Sequence, residues 1–276
     1  MPMAQYETLI YEPAADKVMR LTLNRPERLN AMSLELLGEF DQVMDEFEND
    51  AHASVLIVRG AGRSFSAGYD LQDTQYLGGG FRVSPDHRAM HLLATHWMRL
   101  FDLPKPTIAQ VHGYCVAGAT ELAGHCDIVF AAQDAIFGNP AGRVLGILPT
   151  MAMWPTLMGL RRTKEYFFTG DNFSGAQAEK WGLVNHAVPH EQLEEQTLNY
   201  ARRVALVPVE LLTLHKAAVN RYIEVMGIRA AEQSACDLDV IAHQTGAVQD
   251  WLRLCREKGL REALEERDRP FKKLEH

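Results

Sequence analysis

The sequence lacks the features that mark secreted, membrane-spanning and nucleic-acid-binding proteins. It has only four cysteines and no CxxC pair, so we expect reduced structural thiols rather than a disulfide framework or a zinc site. No stretch of about 18 residues is free of charged or frequent polar residues, which argues against a membrane-spanning helix. The 28 Lys and Arg against 36 Asp and Glu give a formal net charge of −8, which disfavours a broad nucleic-acid-binding surface.

The N-terminal segment also lacks a basic stretch followed by an apolar one, so we expect no secretory signal and a cytoplasmic location. Hydrophobic residues make up 47% of the 276 residues and charged residues 23%, a composition typical of a soluble globular protein. The length is sufficient for a large hydrophobic core without metal or disulfide support. The last three residues, 274–276, resemble a purification-tag remnant and are excluded from functional reasoning.

Short apolar runs alternate with helical periodicity along the first two thirds of the chain. Strands are predicted at 17–24, 54–59, 107–111, 128–132 and 183–188, and helices after Ser33, at 85–101, across 154–168 and at 176–181, with 171–174 as a helix cap. The polar, glycine-rich stretch around 78–80 is predicted to be a mobile surface segment. Strand, helix and strand in this order favour a parallel sheet covered by helices. From Glu191 onwards only helices are expected, with breaks near 207–208 and 226–227.

Two glycine-containing turns each follow a predicted strand and carry the first chemical signal. Phe-Ser-Ala-Gly-Tyr-Asp at 65–70 has small residues that let backbone amides approach a ligand. The segment 111–122 leads from a glycine turn into a helix whose first N–H groups stabilise negative charge. One amide donor from each turn would form an oxyanion hole for a carbonyl that gains enolate character.

These turns belong to a series of segments that resembles the enoyl-CoA hydratase (crotonase) family. The resemblance extends from the first predicted strand to Phe271-Lys272, and it rests on NRPERLNA at 24–31, FSAGYDL at 65–71, KPTIAQVHG at 105–113, GATELAGHCD at 118–127, and TG at 169–170 followed by AEKWGLVN at 178–185. The order and spacing of five such segments are far more specific than any one of them.

The resemblance implies an α/β fold of the ClpP/crotonase type, a spiral of ββα units. Residues 1–195 would form the acyl-CoA-binding core, 196–273 a helical region for trimerisation, and 274–276 the tag remnant. Many members of the family pair trimers into hexamers, so we expect a homotrimer or homohexamer. The implied substrate is an acyl-CoA thioester with coenzyme A as part of the substrate, and we expect no separate cofactor, no metal, no membrane and no nucleic-acid partner.

The resemblance also assigns roles to individual residues of this chain. The oxyanion donors would be the backbone N–H groups of Tyr69 and Gly118, and the first catalytic carboxylate would be Glu121, one helical turn after Gly118. Together they would add water to a 2-enoyl-CoA, which makes the chain an enoyl-CoA hydratase-type lyase of class EC 4.2.1. The Tyr69 side chain need not take part, since its backbone carries the role.

Further positions are expected to bind substrate. Arg28 and Leu29 would contact the adenine end of coenzyme A, and Lys272 after Phe271 would meet it from the C-terminus, from a neighbouring subunit in some members. Asp70 is expected to hold the oxyanion turn through bonds to the backbone. The remaining predicted binding residues are Ala67, Gly68, Leu71, Tyr114, Asn139 and Ala141.

The sequence departs from the family at one catalytic position. Ala141 stands where the resemblance predicts a second glutamate, and the loop 141–146 is one residue longer and contains no carboxylate. Glu121 could then act alone, or another group could substitute: Asn139 by orienting water, Arg143 by reading a substrate carboxylate, or His125 or His112 by titrating near neutrality. The aromatic and methionine residues at 151–158 are expected in the core or the acyl pocket.

Three readings of function therefore stay open. The first is hydration of an enoyl-CoA. The second is another crotonase-type reaction, such as hydrolysis, decarboxylation, C–C cleavage or isomerisation, favoured by the missing glutamate. The third is a non-catalytic acyl-CoA-binding protein, disfavoured because a pure binder has no need of Glu121 beside the oxyanion hole. A role in RNA binding is disfavoured by the net charge of −8.

Overall fold

The computed structural model describes residues 5–72, 82–151 and 153–274. The predicted mobile segment around 78–80, and residues 275–276 of the predicted tag remnant, lie outside the described residues. Within the described ranges the strands are β1 (Leu9–Ala15), β2 (Val18–Leu23), β3 (Val55–Gly60), β4 (Thr107–Val111), β5 (Tyr114–Val116), β6 (Ile128–Ala132), β7 (Ile136–Gly138), β8 (Asn172–Ser174) and β9 (His186–Val188). The helices are α1 (Leu34–Asn49), α2 (Val83–Asp102), α3 (Gly118–His125), α4 (Met153–Met158), α5 (Leu160–Thr169), α6 (Gly175–Trp181), α7 (Leu193–Val204), α8 (Val209–Val225), α9 (Ile228–His243), α10 (Gly246–Lys258) and α11 (Leu260–Lys272), with 3-10 turns at Pro26–Arg28, Pro140–Arg143 and His190–Gln192.

The larger sheet has six strands in the order β1-β2-β3-β4-β6-β9. Every pair from β2 to β9 is parallel, and only the β1–β2 hairpin is antiparallel. All five residues of β4, including the polar Thr107 and Gln110, are buried, as expected for a strand in the interior of a parallel sheet. The predicted parallel sheet covered by helices is confirmed.

Strand β1, the edge strand of that sheet, has no clear strand pattern in its residues. Glu12 and Pro13 interrupt its apolar run, and the pairing with β2 shifts between Pro13 and Ala15. Proline lacks a backbone N–H, so it is tolerated in an edge strand, where a ladder bond is missing on one side anyway.

A second sheet of three short strands, β5-β7-β8, was also missed. Each of its strands has only three residues, too few to show an alternation of polar and apolar side chains. The chain after β3 runs beside it, because Ser66 bridges Cys115 and Met32 bridges Tyr69. The second sheet therefore places the turn after β3 next to the turn before α3.

The helices cover the larger sheet and show how the local sequence sets their ends. The Ser33 side chain accepts a hydrogen bond from Leu36 N and caps α1, as predicted. One predicted helix across 154–168 is two, because Gly159, at φ 81°, separates α4 from α5. The cap predicted within 171–174 is confirmed: Ser174 caps α6, in a reciprocal capping box with Gln177.

The last third of the described chain is helical from α7 to α11, as predicted, with Pro208 and Gly227 at the expected breaks. The boundary proposed at residue 195 falls inside α7. Among the described residues, no helix combines the length and apolarity needed to cross a membrane. All four cysteines are buried free thiols, as expected for structural cysteines.

Candidate active site

A cavity of about 390 Å³ opens between the α/β core and the C-terminal helices. The core contributes the turn after β3, the start of α3 and the loop from Asn139 to Pro149. Helices α2, α9 and α11 form the opposite wall. The lining residues used below are Arg28, Ala67, Tyr69, Asp70, Leu71, Gln72, Met90, Leu93, Ala117, Gly118, Asn139, Ala141, Gly146, Ile147, Asp239, His243, Leu260, Leu264 and Arg267.

The two glycine turns meet at the core wall of this cavity. Gly68 has φ +89°, and a Cβ there would lie 2.8 Å from Val116 O and 3.1 Å from Gly118 N. Only glycine allows both this conformation and this approach. Met32 N donates to Gly68 O (2.8 Å) and Asp70 N to Met32 O (2.9 Å). These bonds fix the backbone on both sides of Tyr69.

Gly118 is required at the start of α3 because the Tyr69 ring lies against it. A Cβ on Gly118 would come 2.5 Å from Tyr69 Cε2. Ala117, just before it, has φ 51°, a left-handed conformation that costs roughly 1–3 kcal/mol in a residue other than glycine. The bond from Ala117 N to Gly138 O (2.9 Å) holds this geometry. Strain maintained at a helix start beside a cavity is typical of a functional turn.

The first N–H groups of α3 have no intrahelical acceptor, and the helix dipole favours negative charge at that end. Tyr69 and Gly118 both line the cavity. The predicted oxyanion residues are thus brought together, one from each turn. Such an arrangement can stabilise an oxygen that becomes negative during a reaction, commonly by several kcal/mol.

Glu121 lies one helical turn further into α3 and is 1% exposed. Its Oε1 accepts hydrogen bonds from Thr150 N (2.7 Å) and Thr150 Oγ1 (2.8 Å), and its Oε2 accepts one from Tyr69 Oη (2.7 Å). Burial raises the pKa of the Glu121 carboxyl, against the opposite effect of these bonds. Among the described residues Glu121 is not part of the cavity wall. It connects to the cavity through Tyr69.

The Tyr69 side chain is therefore a site component that the sequence reasoning set aside. Its hydroxyl donates to Glu121 and accepts a bond from Trp97 Nε1 (2.8 Å). Trp97 is fully buried in α2, so the phenol is held from two sides. The tyrosine itself was the sequence signal for this role, because a bulky side chain next to an oxyanion donor packs inside the site.

The loop that lacks the second glutamate still lines the cavity through Ala141 and Asn139. Asn139 is 2% exposed, and its Oδ1 has no hydrogen-bond partner among the described residues. Arg143 does not reach the cavity. Its guanidinium binds Thr169 O (2.7 Å), Asp171 (2.8 Å) and Asp268 (3.0 Å). These three bonds remove Arg143 as a reader of substrate carboxylates.

The two candidate histidines also lie away from the cavity wall. His125 is buried, and its Nδ1 lies 2.8 Å from the main-chain oxygen of Glu121, not from the carboxylate. Burial lowers the pKa of His125 to about 4, so this ring stays neutral near pH 7. His112 bonds Gly62 O (2.9 Å), and burial lowers its pKa as well. Neither ring titrates where the substrate would lie.

Asp70 and Arg28 occupy the mouth of the cavity. Asp70 pairs with Arg25 (2.9 Å) and accepts a bond from Gln72 N (3.0 Å), which ties the oxyanion turn to the 24–31 segment. Arg28 donates to the Gln72 side chain. Ala67 and Leu71 line the cavity beside them.

Several other predicted binding residues do not reach the cavity in the described structure. They are Leu29, Tyr114, Phe271 and Lys272. Leu29 has φ 52° and ends the 3-10 turn after Arg25. Tyr114 is 42% exposed on β5, and the Phe271 ring lies under the Arg143 guanidinium at 3.8 Å. The C-terminal contribution comes instead from Leu260, Leu264 and Arg267, one turn or more earlier in the same helix.

Residues 151–158 belong mostly to the core: Met153, Trp154 and Met158 are buried and none lines the cavity. The wall residues that sequence reasoning missed come from α2, α9 and α11. Only one signal pointed to them. Asp239 and His243 are spaced i, i+4, which puts them on one face of a helix.

A spiral of ββα units whose turns bring two backbone donors to one cavity is the architecture of the crotonase fold. Residues 14–274 match the sequence model of the Enoyl-CoA hydratase/isomerase family. The chain is 31% identical over 274 residues to the mitochondrial enoyl-CoA hydratase of Pongo abelii, covering 98% of this chain and 89% of that protein. It is 36% identical over 193 residues to the hydroxycinnamoyl-CoA hydratase-lyase of Pseudomonas fluorescens, covering 68% and 70%.

A crystal structure of an enoyl-CoA hydratase/isomerase from Xanthobacter autotrophicus Py2 superimposes with a TM-score of 0.91 at 36% identity, covering 96% of this chain and 99% of that one. The chain belongs to the enoyl-CoA hydratase/isomerase family.

Proposed function

We propose that the protein adds water to the 2,3-double bond of an enoyl-CoA thioester. The observation that carries this proposal is the meeting of the Tyr69 and Gly118 turns at the cavity wall. Attack of water at C3 moves the π electrons towards C2 and the thioester oxygen, which becomes an enolate oxygen. Two preorganised backbone donors stabilise that oxygen, and a proton delivered to C2 completes the addition.

The Glu121–Tyr69 pair is the proposed acid/base group on the core wall. The Tyr69 hydroxyl donates to Glu121 at 2.7 Å, so a proton taken from the attacking water can enter the phenol while the phenol proton moves to Glu121. The hydroxide equivalent forms the new C3–O bond. This relay lets a carboxylate that is buried behind the wall act on a water in the cavity.

The cavity also supports the proposed substrate class. Met90, Leu93, Leu260 and Leu264 provide an apolar surface that suits an acyl chain, and Arg28 and Arg267 are cations in its lining that suit the phosphates of coenzyme A. A second candidate function is a different reaction of the same enolate, favoured by Ala141 in place of a carboxylate. Mass spectrometry of the product separates the two, since only hydration gives an intact CoA ester that is heavier than the substrate by one water molecule.

The decisive experiment follows the loss of enoyl-thioester absorbance with crotonyl-CoA and longer straight-chain enoyl-CoAs. The variant Glu121→Gln should lower kcat by about 10²–10⁴-fold, because the Gln amide oxygen can still accept from Thr150 but the side chain cannot take a proton from Tyr69. The control Glu165→Gln removes an exposed carboxylate on α5 and should match the wild type. Binding of butyryl-CoA without turnover of any enoyl-CoA would contradict the proposal.

The oligomeric state and location are part of the same proposal. Helix α8 exposes a stripe of apolar residues, Leu211, Leu214, Tyr222 and Val225, of which Val225 is 89% exposed. Exposed apolar stripes of this kind mark subunit interfaces, which supports a homotrimer or a hexamer of paired trimers. Light scattering should give three or six times the 31.0 kDa chain mass, and a monomer would contradict this. The four free buried thiols support a reducing compartment such as the cytoplasm.

A further inference from the structure

Helix α9 places an unexplained pair of ionisable groups in the cavity wall. Asp239 and His243 both line the cavity, at 3% and 5% exposure. Burial of a carboxylate is costly unless hydrogen bonds or charges compensate it. The oxyanion turns and the Glu121–Tyr69 pair lie on the core wall, so this second group faces them from the helical wall.

The pair continues into the protein through a third residue. His243 Nδ1 lies 2.8 Å from Asp86 Oδ2 on α2, and His243 Nε2 lies 3.6 Å from Asp239 Oδ2. The short contact orients the Nδ1 proton towards Asp86 and the Nε2 atom towards Asp239. Asp86, His243 and Asp239 thus form a line of ionisable groups from the interior to the cavity.

The loop that lacks the family's second glutamate is the loop that holds Asp239. Ile147 N donates to Asp239 Oδ1 at 2.8 Å. Gly146, at φ +137°, has no side chain where a Cβ would lie 2.2 Å from that same oxygen. A residue other than glycine at 146 would displace the carboxylate. The altered loop therefore makes room for a carboxylate from α9 as well as lacking its own.

Asp239 is surrounded by groups that influence its charge. The pKa of Asp239 is raised to about 7, chiefly by burial; His243 and the bond from Ile147 N oppose the rise, and the charges of Glu121 on α3 and Asp86 on α2 add to it. A carboxyl group in this range can both give and take a proton near neutral pH.

We propose that Asp239 is the second acid/base group of this site and that His243 is its positioning residue. The inference rests on the proposed hydration. In the addition, the Asp239 carboxyl gives its proton to C2 as the C2–H bond forms, while the proton lost by water passes through Tyr69 to Glu121. Transfer of one proton from Glu121 to Asp239, through solvent, then restores both groups. The net change is one water added.

The first test is Asp239→Asn, which keeps an acceptor for Ile147 N but cannot transfer a proton. We expect kcat for crotonyl-CoA to fall by about 10²–10⁴-fold with the Kd for butyryl-CoA within threefold of the wild type. Asp239→Glu should recover part of the loss. The control Asp237→Asn removes an exposed carboxylate of the same helix that faces His87 and His91, and should leave kcat unchanged. Wild-type turnover in Asp239→Asn would overturn this inference and leave the proposed hydration intact.

A second readout separates this inference from the proposed function, and its first measurement needs only the wild-type protein. In D₂O, exchange of the C2 protons of butyryl-CoA, followed by NMR, reports proton transfer at C2 without any hydration. The wild-type exchange rate should rise through a pH near 7, and Asp239→Asn should remove that transition. His243→Gln should shift it. If the wild type exchanges C2 protons but hydrates no enoyl-CoA, the proposed function fails and the Asp239 role survives; wild-type exchange without a transition near pH 7 overturns the role.

Discussion

The cavity has two walls of different construction. Around the oxyanion turns the core wall presents backbone groups and the Tyr69 phenol, fixed by close approaches at Gly68 and Gly118 that tolerate no side chain. The helical wall presents side chains of α2, α9 and α11, and those of α9 and α11, at 239–267, lie more than a hundred positions after the oxyanion turn. The position of a backbone donor depends on the fold, whereas the chemistry of a side chain depends on a single residue. Under the two proposals above, the core wall stabilises the enolate intermediate, whereas the helical wall supplies the proton that the intermediate receives at C2.

The largest loss of activity is expected when the core wall is disturbed. In Gly118→Ala the new Cβ would meet the Tyr69 ring at 2.5 Å and displace both the ring and the oxyanion turn. We expect kcat/KM for the preferred enoyl-CoA to fall by about 10²–10³-fold. Gly124→Ala is the matched control in the same helix, because its Cβ would meet only Met153 side-chain atoms, the nearest at 3.4 Å. Equal activity in the two variants would show that the turn is more tolerant than its geometry indicates.

Asp239 of the helical wall should change how the free energy of unfolding depends on pH. The pKa of Asp239 is raised from 3.8 to about 7 in the folded protein, so between about pH 4 and 7 the folded state holds a proton that the unfolded chain has released. Stability contributed by this group is therefore present at low pH and is lost as pH rises through 7. Urea unfolding of the wild type and Asp239→Asn at pH 5 and pH 8 should show the difference change by on the order of 2 kcal/mol in favour of the variant at pH 8. A constant difference would mean that Asp239 does not carry the raised pKa.

The smallest expected effect concerns Arg267, the cation of the helical wall. Arg267→Gln should raise KM for crotonyl-CoA about two- to tenfold with little change in kcat, because the guanidinium is already paired with Asp268 at 2.7 Å and adds only about 1 kcal/mol to phosphate binding. The effect should shrink with added salt. Arg261→Gln, whose side chain is 94% exposed, is the control on the same helix. A large fall in kcat for Arg267→Gln would instead give the helical wall a part in holding the reacting groups.

The sequence predicted the core wall far better than the helical one. The glycine patterns at 65–70 and 111–122 predicted two turns with one backbone donor each, and the family resemblance then assigned those donors to Tyr69 and Gly118. The bond between Tyr69 and Glu121 could not, since it depends on a rotamer and on Trp97 in another helix. The role of Asp239 was not predicted for a similar reason. A polar residue in a helix becomes part of a site only through the docking of that helix, which no local pattern encodes.

The same reasoning explains the errors in the fold. Strands β5, β7 and β8 are three residues each, so tertiary pairing rather than periodicity defines them. Gly159 was overlooked as a helix end because helical spacing continues on both sides of it. The parallel sheet was predicted because short, mostly apolar runs alternate with helical segments, and the strands β3 and β4 are almost entirely buried.

The contribution of α11 to the cavity sets the order in which the parts of the site form during synthesis of the chain. Leu260, Leu264 and Arg267 line the cavity and follow the Tyr69 turn by about two hundred residues, on the order of a whole domain, so they leave the ribosome after it. A nascent chain that folds from its N-terminus thus forms its anion-binding turn while one side of the cavity is still open to water. The cavity is closed on that side only after α11 has been synthesised and has docked.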